Sequence, residues 1–258
     1  MAVSRVGAGF SLRNNVVRES LTLPKGKDML KQGKIKLIAA VFCLLCISAS
    51  VCVAAGEFKW ARVKFDLKRE VPDKWNVEMD LDKYFLAAFA KLSTMNVDQQ
   101  VNVTSFENLE DVCQYPFVFM HAEGEPNFSE KEADNIRKYL DRGGFIFADD
   151  CVYQGKSDWF YQAMKSEVEN KIYPGTKMVQ LKDDHQMYHC LFQFPDGIPH
   201  MQGIRNGGRA VFDKKGRMKI FLCSDDLHCG WSPRYFGEEK CQDAIKMTIN
   251  IIVYALTH

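Results

Sequence analysis

A chain of 258 residues with 34 basic and 33 acidic side chains, a formal charge of +1 and a pI near 7.5 shows no basic stripe with interleaved aromatics, which excludes a nucleic-acid surface. With an amino-terminal leader set aside, about 200 residues remain, enough for one domain with a full core. No internal repeat or low-complexity segment interrupts them.

Residues 37–55 run nineteen positions without a charge, follow Lys31, Lys34 and Lys36, and end in Val53, Ala54 and Ala55, small where signal peptidase reads. The expectation is an exported protein, periplasmic or extracellular, or one held in the cytoplasmic membrane. Two fates fit the leader over residues 29–56: cleavage, which the small-residue ending favours, or retention as an anchor through residues 37–55, because nineteen apolar residues just span a bilayer. Residues 1–28 form a polar extension too long and too charged for an ordinary leader start, whereas Met29 opens a segment that suits one, so translation is expected to begin there. Asn102 and Asn127 head glycosylation sequons that matter only in a eukaryotic secretory pathway.

The domain proper is expected over residues 57–258. Residues 58–65 alternate as a strand does, and Leu81, Tyr84, Phe85, Ala88, Phe89 and Leu92 then recur at helical spacing. Residues 97–103 supply a second strand, and residues 116–120 a third, an apolar run of the kind buried on both faces of a parallel sheet. Ser129 stands three residues before Glu132, the spacing of a capping box, and opens a helix whose stripe is Ala133, Ile136, Tyr139 and Leu140 and whose stop is Gly143 with Gly144. A fourth strand, residues 145–148, follows about thirty residues after the third, the length of a right-handed crossover, and delivers Asp149 and Asp150 at its end.

Residues 157–172 read as a helix stopped by Tyr173, Pro174 and Gly175, residues 177–181 as a short strand, and residues 209–212 with 218–223 as a hairpin around Lys214, Lys215 and Gly216. A closing helix spans residues 238–256. Strands alternating with helices predict an α/β fold, a three-layer sandwich around a mostly parallel sheet with a C-terminal helix.

Several motifs together resemble the DUF4159 family over roughly residues 57–258: Tyr115-Pro116-Phe117, the capped helix, Arg142-Gly143-Gly144 ahead of Asp149-Asp150, Asp184-His185 with Tyr188-His189, Gly208-Arg209, and the run from Asn250 to Thr257. The resemblance implies a flavodoxin-like sheet of the class I glutamine amidotransferase type, in bacterial proteins often exported or membrane-tethered. It carries no catalytic role, because the family's activity is not established.

In open parallel sheets, ligands bind outside the carboxyl ends of the strands, where strand order reverses. Four loops leave predicted strands with polar residues: His121 with Glu123, Asp149 with Asp150, Asp183 to His185, and Asp225 with Asp226 and His228. The ligand-binding candidates are His121, Glu123, Asp149, Asp150, His185 and Asp225, with Asp149, Asp150 and His185 as candidate metal ligands. Carboxylate and imidazole suit an oxygen-rich divalent metal and equally suit hydrogen bonds to a polar molecule. Each has a plainer reading: Asp149 and Asp150 as acceptors for backbone amides, Asp225 and Asp226 as loop formers, His185 in a structural hydrogen bond, and Trp231 as a half-buried aromatic rather than a sugar platform.

Six of the nine cysteines lie beyond the leader, at 113, 151, 190, 223, 229 and 241, an even count that permits disulfides in an exported chain, although Cys113 and Cys190 lie in or beside apolar runs that suit buried thiols. No CxxC pair occurs among them, which argues against a structural zinc site. Cys151 falls near the place of an amidotransferase nucleophile, but its neighbours are Asp150 and Val152 rather than small residues, and adjacent carboxylates suppress a thiolate. Two function classes follow: a binding module whose acidic, histidine-containing cleft takes a polar small molecule or a protein partner, and a metal-dependent hydrolase built on the same cluster. The sequence names no cofactor.

Overall fold

The computed structural model describes residues 56–258 apart from 153 and 155; the polar extension and the apolar segment 37–55 lie outside the described residues. Among the described residues no helix is long and apolar enough to cross a membrane.

One seven-stranded sheet organises the domain. Its strands are β1 (Ala61–Lys64), β2 (Asn102–Ser105), β3 (Phe117–Ala122), β4 (Phe145–Asp150), β5 (Val179–Gln180), β6 (Arg209–Phe212) and β7 (Met218–Cys223). They lie in the order β2-β1-β3-β4-β7-β6-β5. The first five neighbours in that order pair parallel, while β6 pairs antiparallel with β7 and β5 antiparallel with β6. Order 2-1-3-4 followed by the last parallel strand is flavodoxin-like, and its reversal lies between β1 and β3.

The helices are α1 (Met79–Leu92), α2 (Leu109–Val112), α3 (Glu130–Asp141), α4 (Trp159–Glu167), continued by a π-turn at Val168–Ile172, and α5 (Pro233–Thr257). Phe85 and Phe89 of α1 and Ile245, Ile249 and Ile252 of α5 form one core with Trp60, Phe119 and Phe147 from the sheet. Ala133, Ile136 and Leu140 of α3 and Phe160 and Met164 of α4 form another with Val63, Met120, Ile146 and Leu222 on the opposite face. The result is a three-layer α/β sandwich.

Local chemistry explains most boundaries. The Ser129 hydroxyl accepts from the Glu132 amide at 3.2 Å while the Glu132 carboxylate accepts from the Ser129 amide at 2.8 Å, so the capping box is complete. Ser129→Ala is expected to cost about 1 kcal/mol in urea unfolding, and an unchanged midpoint would count against the box. Residues 97–103 do not form the expected strand: Val97 makes one parallel bridge with Phe58, the Asp98 carboxylate accepts from the Gln100 amide, and the ladder with β1 begins only at Asn102. The short α2, capped by Asn108, was not legible from periodicity because four residues hold barely one turn. Helix α5 begins at Pro233, earlier than expected, and is broken at Gly237, whose φ of 82° needs a residue without Cβ; its regular part starts where the apolar spacing does.

Candidate functional site at the carboxyl ends of the parallel strands

The pleat distributes the predicted residues. Along β3 and β4, Phe117, Phe119, Phe145 and Phe147 face α1 and α5, and Val118, Met120, Ile146 and Ala148 face α3 and α4. His121 and Asp149, paired in register, continue the first series; Asp150 continues the second. The adjacent aspartates therefore diverge. The Asp150 carboxylate accepts the Tyr161 amide at 2.7 Å in the first turn of α4, the amide-capping role that was its plainer reading. Asp149 accepts the His228 amide at 3.0 Å and the Cys223 thiol at 3.2 Å.

Five of the six ligand-binding candidates, His121, Glu123, Asp149, Asp150 and Asp225, stand at the carboxyl ends of β3, β4 and β7. His185 does not. Its ring lies 6.2 Å from that of Phe212, which pairs with Met218 at the start of β7, and 5.4 Å from that of Tyr254 near the end of α5. This is the amino-terminal edge of the sheet, reached because the chain beyond β5 turns back along α5. There His185 accepts the Met187 amide at 3.2 Å and opens the short helix Gln186–Tyr188. The metal trio Asp149, Asp150 and His185 is thus never assembled: the pleat parts the aspartates and the chain path removes the histidine.

The cluster is also not an open cleft. His121, Asp149, Asp150, Asp225, Asp226 and His228 are fully buried. The connection after β1 lies across the reversal between β1 and β3, tied down where the Glu123 amide donates to the Asp73 carbonyl, Asn127 to Asp66 and Lys68 to Glu125, at 2.9 Å each.

Beneath that connection lies a charged network that the sequence reading passed over. Arg62 is buried with all five donors used: Nε and Nη2 reach Asp82 at 2.9 and 2.6 Å, Nη1 reaches the carbonyls of Trp75 and Val77 at 2.9 Å, and Nη2 also contacts His228 Nε2. Trp60 Nε1 adds a 2.7 Å bond to Asp82. The signal was present, since Arg62 shares the inward phase of β1 with Phe58 and Trp60, and a charge on an apolar phase demands a buried partner.

Protonation follows from geometry. A guanidinium only donates, so His228 Nε2 accepts, and a neutral ring carries its proton on Nδ1, which has no partner among the described residues. Burial first, then the Arg62 charge, pushes the His228 pKa down to about 4, with Asp82 opposing. His121 Nδ1 lies 2.9 Å from the Asp149 carbonyl, which only accepts, so the ring proton is on Nδ1, and the Nε2 lone pair has no partner among the described residues. Burial, His228 and Arg62 hold His121 well below the usual imidazole range. Burial and the nearby Asp226 raise the Asp149 pKa well above its ordinary value, and with His121 lowered the 3.7 Å approach between them is not an ion pair.

Asp226 occupies a left-handed backbone conformation with φ of 55°, an uncommon place for a side chain that clusters at functional turns. Burial raises its pKa to about 6, opposed by Gln202 and Cys229. Cys151 is buried, and its thiol is pushed well above its ordinary value by a hydrogen bond with the Cys229 thiol, then by burial and by Asp226, the opposite of an activated nucleophile. All six cysteines among the described residues are free, and Cys113 and Cys190 are half-buried rather than buried. Trp231, expected half-exposed, is fully buried.

Fold and site define a doubly wound α/β domain with flavodoxin-like strand order and a buried polar cluster at the conventional ligand edge of its sheet. No curated protein matches the chain. A family model described as a domain of unknown function, DUF4159, matches residues 59–256, and the chain belongs to that family.

Proposed function

We propose that this is an exported or membrane-tethered binding module whose ligand is taken by the polar cluster at the strand ends, under the connection that follows β1. One observation carries the reading. Of six buried side-chain atoms without a hydrogen-bond partner among the described residues, five belong to this cluster: His121 Nε2, Asp150 Oδ1, Asp225 Oδ2, Asp226 Oδ1 and His228 Nδ1. Buried polar atoms left unpaired destabilise a fold, and such costs gather where function requires them. The charged leader with its apolar run supports export or tethering, and the high thiol pKa of Cys151 speaks against covalent cysteine chemistry. The hydrolase alternative, drawn from Asp149, Asp150, His185, His121 and Asp225, is weakened because His185 lies at the other edge of the sheet and Asp150 turns away from Asp149.

Stability separates a functional cluster from a structural one. In chelator-treated protein, Asp225→Asn and Glu123→Gln are each expected to hold or raise the melting temperature, since each replaces a carboxylate that burial disfavours while keeping an acceptor for His200 and for the Asp73 amide. A gain of about 1 kcal/mol corresponds to roughly 2–4 °C in a domain of this size. A loss of that size in both variants would show the carboxylates to be structural and overturn the reading.

A further inference from the structure

We infer that His121, Cys151, Asp226 and Cys229 form a site for a divalent cation of the zinc class. The inference rests on the strand-end cluster being the functional site and names its ligand. The four residues leave the carboxyl ends of β3, β4 and β7, and one ligand atom from each lies within 4.8 Å of all the others. Donors around a tetrahedral zinc stand roughly 3.3–3.8 Å apart, so a contraction on the order of 1 Å closes the site. Two sulfurs, one imidazole nitrogen and one carboxylate oxygen suit zinc; calcium and magnesium call for six or more oxygens.

Two further observations point to a ligand. His121 Nε2 and Asp226 Oδ1 are buried without hydrogen-bond partners among the described residues, and both belong to the quartet. The His121 ring is also held as metal-binding histidines are, with Nδ1–H donating to the Asp149 carbonyl so that the Nε2 lone pair is free. Gln202 similarly holds the other Asp226 oxygen. The lack of a CxxC pair argued against a structural zinc site; the parallel strands instead bring together ligands that lie far apart in sequence. On binding, the two thiols give their protons to solvent and the cation takes two thiolates, the imidazole nitrogen and the carboxylate. Four protein ligands make a closed site, which stabilises the strand ends rather than activating water.

The test uses the full chain, purified under reducing conditions, depleted with chelator and titrated with cobalt(II). One equivalent is expected to bind with the near-ultraviolet thiolate-to-cobalt band and the visible bands of tetrahedral cobalt. Cys151→Ser and Cys229→Ser should each remove about half the charge-transfer intensity and weaken binding at least tenfold, since loss of a mere outer-shell partner already costs about that much, whereas Cys223→Ser should leave the band intact. Should a serine variant fail to fold, alkylation mapped by mass spectrometry on the unmutated chain decides: zinc must protect Cys151 and Cys229 selectively. No cobalt bound by the folded, reduced chain, a band indifferent to both serine variants, or a Cys151–Cys229 disulfide persisting in reductant overturns the inference. Those failures leave the stability comparison for Asp225 and Glu123 untouched, so the metal and the broader site reading fail separately.

Discussion

Asp82→Ala is expected to destabilise the domain by about 3–5 kcal/mol, the usual cost of removing one partner from a buried ion pair. The loss comes chiefly from what remains. Arg62 cannot shed its proton, is fully buried, and would keep only two carbonyls and His228 as acceptors, while Trp60 Nε1 would lose its partner. A double variant, Arg62→Met with Asp82→Leu, is expected to be less damaged than Asp82→Ala alone, because the orphaned charge disappears with its counterpart. Denaturant unfolding of the variants measures this, and a double variant worse than the single one would refute the account.

The same pair sets an acid limit. Burial alone would raise the Asp82 pKa; the Arg62 charge and the hydrogen bonds Arg62 donates outweigh it and hold the group at about 2. A carboxyl lowered on folding binds fewer protons in the native state, so its stabilisation is present above its unfolded value near 4 and is lost as pH falls toward 2. The contribution is on the order of 2–3 kcal/mol. The stability gap between the parent and Asp82→Ala should therefore narrow across that window and stay constant from pH 5 upward as far as this group is concerned.

Trp231→Ala is expected to cost about 3–5 kcal/mol, as truncation of a buried aromatic does. The indole stacks on Phe85 at 4.6 Å, meets Trp60 edge-on at 5.6 Å, and donates to Thr248 at 2.9 Å, joining α1, β1 and α5 in one contact. Trp231→Phe should recover much of that, losing mainly the hydrogen bond. A solvent-facing sugar platform would tolerate alanine with little change, so a loss under about 1 kcal/mol would reinstate that reading.

Much of the architecture was legible because it is written in local patterns. The capping box at Ser129 and Glu132, the apolar run entering β3, the glycines after α3 and the thirty-residue crossover identified a parallel unit, and the turn around Gly216 identified the hairpin. Where residues 97–103 misled, the apolar pattern was real but the turn at Asp98 broke the ladder. The site was legible in part: His121, Glu123, Asp149, Asp150 and Asp225 stand at the edge where a parallel sheet places ligands. His185 was lost because a loop's composition says nothing about the direction in which the chain leaves it.

Sequence by itself determined an alternation of strands and helices, and with it the family and the edge at which polar residues collect, since spacing, caps and turns act over a few residues. Only the tertiary structure decided which of those residues meet. The pleat turned Asp149 and Asp150 to opposite faces, the connection after β1 buried what had looked like a cleft, and β3, β4 and β7 brought His121, Cys151, Asp226 and Cys229 together across a hundred residues of chain. Such meetings depend on register and strand order, which are set by the packing of the whole sheet and leave no mark on any short stretch of sequence.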